Sequence, residues 1–253
     1  MPKYSPLLVA ECGVNWRCME RALCMIEDAK KSGFDLAKFQ LYNRDVIART
    51  QAEDWVKERL EIMRLTLNDA RVLHGFGQKI GIHVFFTAMY PQAFEIIRKL
   101  DSGVVKIRLS DRNRLCLFRA ARISDLLILF STDSIKEQVT KNTVPLYCVG
   151  KYPATEADYE PFFGCPQGYG VSLHAPIESL FRRIWRRGAS VVEMHVKNYG
   201  DEGCLDAAVS VGFGEAAKWI KEMRDAYASV DGQPADEPRV LQPRTDDCSS
   251  PAS

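Results

Sequence analysis

The sequence predicts a single-domain α/β fold, a (β/α)8 TIM barrel, and three observations carry that prediction. Short apolar runs rich in Val, Ile, Leu and Phe alternate along the chain with stretches of helical period, the pattern of a parallel sheet with helical crossovers. The run Val191-Val-Glu-Met-His195 ends in a carboxylate and an imidazole and is followed by Lys197 and Asn198, and strands of such barrels collect their chemistry at their C-terminal ends. An earlier run, Gly168-Tyr-Gly-Val-Ser-Leu-His174, delivers a second histidine in the same way. A chain of 253 residues, 46% hydrophobic and 26% charged, is long and apolar enough for one such domain.

The elements follow in order. The first strand covers 6–10 and stops at Glu11-Cys-Gly-Val-Asn15, so Glu11 stands at a strand's C-terminal end. Ala22, Met25, Ile26 and Ala29 recur at helical spacing and Gly33 suits a C-cap, which predicts a helix over 19–32. The second strand, 36–40, places Lys38 and Gln40 on one face and Phe39 on the other. From 51 to 80 the period is helical, with a break around Leu65 to Asn68. Strand three is 83–87, ending at Thr87; a helix opened by Pro91 turns Phe94, Ile97 and Leu100 inward; strand four, 104–107, carries Lys106.

A helix over 115–122 precedes strand five, 126–130, which ends at Ser131 and Thr132, and strand six, 144–149, which ends near Tyr152; strand and helix are expected to alternate throughout. The seventh strand ends at Ser172 and His174. The helix after it, from Pro176, has Ile177, Leu180, Phe181 and Ile184 on one stripe and stops at Gly188, before the strand that ends at His195. The last helix covers 214–228. The barrel is therefore expected over 1–230, and the Pro, Asp, Ser, Gln and Gly of 231–253 predict a disordered tail.

Charge and composition exclude several functions. A formal net charge of +1 offers no broad surface for nucleic acid or an anionic membrane; the local cluster of Arg182, Arg183, Arg186 and Arg187 reads as a solvated helix face. No apolar run approaches the roughly 18 residues of a membrane span. The eight cysteines show no paired Cys-x-x-Cys spacing and no secretory leader precedes them, so reduced thiols and a cytoplasmic location are expected.

Collected at one end of a barrel, the strand ends bring together Glu11, Lys38, Gln40, Thr87, Lys106, Asp111, Ser131, Tyr152, Ser172, His174, Glu193 and His195. Two lysines and three hydroxyls form a cradle for a ligand carrying both a phosphate and a carboxylate, because each anionic oxygen needs a charged or hydroxyl donor. Two neutral imidazoles leave open positions on a divalent ion that could polarise a carbonyl, with carboxylates beside it to move protons. The plainer readings are snorkelling lysines, rim histidines with ordinary partners, and serines in turns. His74 and His83 read as plain helix and strand residues.

The ordered set Ala10-Glu-Cys-Gly-Val-Asn15, Ala37-Lys-Phe-Gln40, Phe86-Thr87, Val105-Lys-Ile107, Phe130-Ser-Thr132, Leu146-Tyr-Cys148 with Tyr152-Pro153, Gly170-Val-Ser172 with His174, and Glu193-Met-His195 resembles the N-acetylneuraminate (sialic acid) synthases over about residues 7–210. That family condenses phosphoenolpyruvate with an N-acyl sugar aldehyde in a metal-dependent barrel. The resemblance implies that Lys38, Thr87, Lys106, Ser131 and Ser172 hold phosphoenolpyruvate, and that His174 and His195 bind manganese or magnesium. It also implies that Glu11 and Asp111 act as acid and base, and that Asp206, Tyr152 and Gln40 line the sugar side.

Some positions depart from the family. Asn15-Trp-Arg-Cys18 lacks the loop histidine, Leu109 and Asp111 replace a serine and a glutamate, Gly150 replaces a serine or asparagine, and Leu173 replaces an aspartate. The C-terminal antifreeze-like domain, which in the family lends an arginine to the partner subunit's sugar site, is not in the sequence. The expectation is an enzyme with an altered electrophile, its sugar side covered by a second copy in a homodimer or by a separate partner chain. The alternative is a barrel without turnover that binds a ligand or serves as a partner subunit.

Overall fold

Eight strands pair in parallel in chain order: Leu7–Gly13 (β1), Leu36–Leu41 (β2), His83–Ala88 (β3), Val104–Ile107 (β4), Leu127–Thr132 (β5), Thr143–Cys148 (β6), Gly170–Leu173 (β7) and Val191–Lys197 (β8). β8 returns to pair with β1, Leu7 opposite Val191 through Glu11 opposite His195, which closes the barrel. A computed structural model supplies these coordinates and describes residues 5–231 apart from 112, 124, 199 and 202. The predicted tail lies outside the described residues from 232 onward.

Helices Met19–Lys31 (α1), Arg44–Arg49 (α2), Asp54–Ile62 (α3), Leu67–Ile80 (α4), Ala93–Lys99 (α5), Leu115–Ile123 (α6), Glu178–Arg187 (α7) and Phe213–Asp231 (α8) form the outer layer. Their ends follow local chemistry. Thr66 and Asp69 make a reciprocal capping box at the start of α4, and Gly81 ends it in the left-handed conformation that glycine adopts at little cost. Gly188 does the same for α7, which buries Leu180, Phe181, Ile184 and Trp185 against the sheet.

Strand alternation builds two apolar layers. Outward-facing residues such as Leu8, Ala10, Phe39, Phe86, Val105 and Val192 join the helices in the larger cluster. Inward-facing Leu7, Val9, Leu36, Phe85, Val104, Leu129, Leu146 and Val191 fill the lower interior of the barrel as a second cluster. Gly170 continues that interior without a side chain: a Cβ there would lie 2.4 Å from Leu146 Cδ2 and 2.7 Å from the Val191 carbonyl. Two residues further up each strand the inward positions turn polar, which sets the floor of the site.

The structure departs from the expected alternation in four places. Residues 133–142, between β5 and β6, contain no helix, because Ile135 and Val139 are the only aliphatic residues there and both stay exposed. A 3-10 run, Glu156–Gly164, takes the place of a helix between β6 and β7 and contains Pro161. α2 was not expected; its Asn43 cap accepts from the Val46 amide, but it buries only Ile47 and shows no period. A two-residue strand, Val211–Gly212 (β9), pairs with the upper end of β8 and leads into α8. No helix among the described residues is long and apolar enough to cross a membrane.

Candidate active site

The upper inward positions are Glu11 on β1, Lys38 and Gln40 on β2, Thr87 on β3, Lys106 on β4, Ser131 on β5, Cys148 on β6, Ser172 on β7, and Glu193 and His195 on β8. Parallel pairing sets neighbours side by side: Glu11 opposite Lys38, Gln40 opposite Thr87, Thr87 opposite Lys106, Cys148 opposite Ser172, Ser172 opposite Glu193. All but Gln40 are buried. Burial of so many polar groups requires that they satisfy one another.

They do so around Glu193. Lys106 Nζ donates to both of its carboxylate oxygens at 3.0 Å, and Ser172 Oγ donates to Oε1 at 2.7 Å. Lys38 Nζ lies 3.2 Å from Glu193 Oε2, donates to Thr87 Oγ1 at 3.1 Å, and forms an ion pair with Glu11. Gln40 Nε2 donates to Glu11 Oε1 at 3.0 Å. Two lysines thus face two carboxylates in a closed, charge-balanced cluster. Burial would raise the Glu193 carboxyl, but the two lysines and the Ser172 hydroxyl hold it far below the usual carboxylate range. Burial pulls Lys38 down, yet Glu11 and Glu193 outweigh it and leave Lys38 above its ordinary value. For Lys106 burial wins, with Lys38 adding to it, and the ammonium sits lower than an ordinary lysine despite Glu193.

A second group stands beside the first. His195 Nδ1 is 3.2 Å from Asp206 Oδ2, an ion-pair distance without hydrogen-bond alignment. Burial lowers the His195 imidazole, but Asp206, then Glu11 and Glu193, raise it past its ordinary value. Asp206 is held by Asn15, whose Oδ1 accepts from the Asp206 amide at 3.0 Å while its Nδ2 donates to the Val196 carbonyl and Ser210 Oγ. His174 lies 5.2 Å from His195, ring centre to ring centre. Its Nδ1 is 2.6 Å from the Val149 carbonyl and its Nε2 is 2.9 Å from the Tyr152 hydroxyl. Burial, aided by His195, pushes His174 down to about 4, so its imidazole is neutral at ordinary pH.

Local structure explains these placements. Tyr159, in the 3-10 run, accepts from the His174 amide at 2.8 Å and donates to the Ser172 carbonyl, fastening the end of β7. The Ala154 amide donates to the His174 carbonyl, which brings Tyr152 over the imidazole with ring centres 4.2 Å apart. Tyr152 is 57% exposed, but its hydroxyl lies against His174 Nε2, and burial there raises its pKa.

The predicted residues are therefore brought together with one exception. Glu11, Lys38, Gln40, Thr87, Lys106 and Ser172 share the first network, and Tyr152, His174, His195 and Asp206 the second; Ser131 is buried at the same level on β5, and Cys148 on β6 stands between its strand and that of Ser172. Asp111 stands apart. It is buried on the turn after β4 and pairs there with Arg108 and with Arg114, 3.2 Å away. Three residues have more prominent places than the sequence suggested. Glu193 is the hub, Cys148 lies within 4.0 Å of both ring nitrogens of His174, and Asn15 clamps the Asp206 turn. The alternation of inward positions was a signal for Cys148 and Glu193; Asn15 acts across the chain and left none.

The residues can be tested against a divalent ion. The Nδ1 of His174 points at a backbone carbonyl and that of His195 at a carboxylate, the outer partners that orient metal-ligating imidazoles and fix their tautomer. Both rings could then offer Nε2, with Tyr152 moving off His174. Among the described residues no group of three His, Cys, Asp or Glu side chains is placed to hold a metal alone. The donor set fits an ion completed by water and substrate oxygens.

Comparison with known proteins agrees with this architecture. A sialic acid synthetase from Leptospira borgpetersenii, solved with citrate, superposes with a TM-score of 0.77 at 20% identity, covering 96% of this chain and 88% of that one. The Bacillus subtilis spore coat polysaccharide biosynthesis protein spsE gives 0.70 at 18% identity, covering 93% and 73%. At such identities the likeness establishes the fold. By sequence the chain is 25% identical over 178 residues to the N-acetylneuraminate-9-phosphate synthase of Drosophila melanogaster, 61% of this chain and 48% of that protein. It is 22% identical over 212 residues to an uncharacterized protein of Methanocaldococcus jannaschii, 74% and 61%. The chain spans about half to three fifths of the length of these curated relatives. The NeuB family model matches residues 25–234, a stretch that carries all the strand-end groups except Glu11, and the chain belongs to the NeuB family.

Proposed function

We propose that this chain joins phosphoenolpyruvate to a sugar aldehyde of the N-acylmannosamine type, giving a nonulosonic 2-keto acid and inorganic phosphate. The observation that carries the reading is the meeting of two buried lysines, Lys38 and Lys106, with the His174, His195 and Asp206 group at one barrel mouth. Family membership and the name of the Drosophila relative support it.

In the reaction the CH2 carbon of phosphoenolpyruvate bonds to the aldehyde carbon, and the aldehyde oxygen takes up a proton. Water adds at the neighbouring carbon, and phosphate leaves as the ketone forms. Lys38, Lys106, Thr87, Ser131 and Ser172 would hold the carboxylate and phosphate, fixing the attacking carbon close to its target. Binding requires the lysines to turn part of their hydrogen bonding from Glu193 to the ligand, so Glu193 holds them in place before it arrives. Glu11, held by Lys38 and Gln40, would accept or return a proton, and the Tyr152 hydroxyl, kept protonated, would donate one. Asp206 and Gln40 would contact the sugar hydroxyls. Asp111 orders Arg108 and Arg114 from outside the network. His174 and His195 would hold manganese or magnesium, which would polarise the aldehyde carbonyl as a Lewis acid.

The test is phosphate release from phosphoenolpyruvate with a panel of sugar aldehydes and added manganese. Release that depends on a sugar aldehyde supports the proposal. Release with none of them, beside intact phosphoenolpyruvate binding, points to a ligand-binding barrel instead.

A further inference from the structure

The other crossovers of the barrel lay a helix or the 3-10 run against the strands, but residues 133–142 pass from the top of β5 to the foot of β6 without one. The slot beside α6 that a helix would fill is left as a groove of about 650 Å3, within the roughly 300–1,000 Å3 of small-molecule sites. It lies on the outside of the barrel. Phe130 and Thr132 of β5 line it, while the buried Ser131 between them belongs to the opposite face of the strand.

The wall opposite α6 is fastened in place. The buried Tyr169 hydroxyl donates to the Glu137 carbonyl at 3.0 Å. The hydroxyls of Thr132 and Ser134 accept from the amides of Ser134 and Lys136 at 3.0 and 3.1 Å, and Thr140 and Thr143 exchange both backbone hydrogen bonds at the far end. The groove is therefore shaped before any ligand arrives, which spares the ligand the cost of ordering it.

Three kinds of group face the groove. Phe118 and Phe130 are half-buried with ring centres 5.6 Å apart and planes at 76°, and they leave phenyl surface on which a planar ring can pack. Arg122 of α6 and Lys136 of the crossover are exposed, and neither side chain has an ion-pair or hydrogen-bond partner among the described residues. Two carboxylates, Asp133 and Glu137, share the lining, and Glu137 Oε1 accepts from the Thr132 hydroxyl at 3.3 Å. Carboxylates oppose a bare anion but accept from hydroxyl and amino donors. The groove thus matches a ligand that combines a flat ring, donor groups and one anionic end.

We propose that this groove binds a nucleoside 5′-phosphate, with the base against Phe118 and Phe130, the phosphate against Arg122 and Lys136, and sugar hydroxyls toward Glu137. Every base has a π-face, so the phenyl rings set no strict base preference. The planar guanidinium of Arg122 can meet two phosphate oxygens at once. The groove is separate from the barrel mouth, and its ligand is independent of the reaction proposed there.

The experiment is calorimetry on the full chain at low salt with adenosine, guanosine, cytidine and uridine 5′-monophosphates, the matching nucleosides and inorganic phosphate. At least one nucleotide should bind wild type about tenfold more tightly than its nucleoside, and inorganic phosphate should bind more weakly than that nucleotide. The double variant Arg122→Gln/Lys136→Gln, which alters two exposed side chains, should erase the preference for nucleotide over nucleoside. Phe118→Leu keeps an apolar side chain beside Phe130 and should weaken nucleotide and nucleoside alike by about fivefold or more. Excess phosphoenolpyruvate should leave the nucleotide affinity unchanged. The proposal is overturned if no nucleotide binds wild type, if nucleotide and nucleoside bind equally, or if the preference survives in the double variant. An unchanged affinity in Phe118→Leu removes the base from the phenyl rings, and competition by phosphoenolpyruvate moves the nucleotide to the mouth; either result overturns it as well.

Discussion

Lys106 Nζ stands 3.0 Å from each oxygen of Glu193, so that one ammonium on β4 is gripped symmetrically by one carboxylate on β8 across the barrel interior. Lys38 approaches the same carboxylate from β2. The pair is a strut of the barrel and, in the proposed reaction, the part that must yield to the ligand. Removing one member of a buried ion pair leaves the other uncompensated, at a cost of about 3–5 kcal/mol. Glu193→Gln should therefore lower the free energy of unfolding in urea by that order. Phosphoenolpyruvate should restore more stability to this variant than to wild type, since it supplies the missing negative charge. An unfolding free energy within about 0.5 kcal/mol of wild type would mean that the cluster contributes little.

Lys106→Ala should lose the heat protection that phosphoenolpyruvate gives wild type. A charge-assisted hydrogen bond to a buried anion contributes on the order of 1.5–3 kcal/mol, so the affinity should fall tenfold or more. The check is the shift of the thermal midpoint with ligand concentration. Equal protection of the two proteins would remove Lys106 from the binding site.

Calorimetry with manganese should show binding to wild type and none to His174→Ala. Asp206→Asn should weaken it by about 10–100-fold, because the carboxylate orients His195 from behind and is not itself asked to be a ligand. If manganese binds His174→Ala unchanged, the histidine pair has some other task.

The loop that carries Tyr152 is tied down by Asp158, which caps the 3-10 run through Thr155 and pairs with Lys151. Lys151, then the Thr155 amide and hydroxyl, hold the Asp158 carboxyl down at about 2. A carboxylate with a depressed folded-state pKa lends stability that is present above its ordinary value of about 3.9 and is lost as the pH falls through the folded value. The difference in denaturation midpoint between wild type and Asp158→Asn should therefore be widest above about pH 5 and close as the pH approaches 2. A gap that stays constant with pH would assign the difference to packing instead of charge.

The sequence by itself determined which residues face the interior. Period-two alternation is local, so Lys38, Thr87, Lys106, Ser131, Ser172 and His195 could be placed at one mouth from strand ends alone, and those strands lie where the apolar runs predicted. The same locality explains the misses. α2 is too short and too polar to show a period, and residues 133–142 hold too few apolar side chains for a helix although the alternation expected one. Only the tertiary structure decided which charge meets which. Glu193 and Lys106 are 87 residues apart, and the Asp206 amide and Asn15 are 191 apart. Their meetings depend on strand register and on the closure of β8 against β1, which packing of the whole barrel sets. Asp111 shows the converse: strand-end position promised it to the site, but Arg108 and Arg114 on its own turn were nearer partners and kept it.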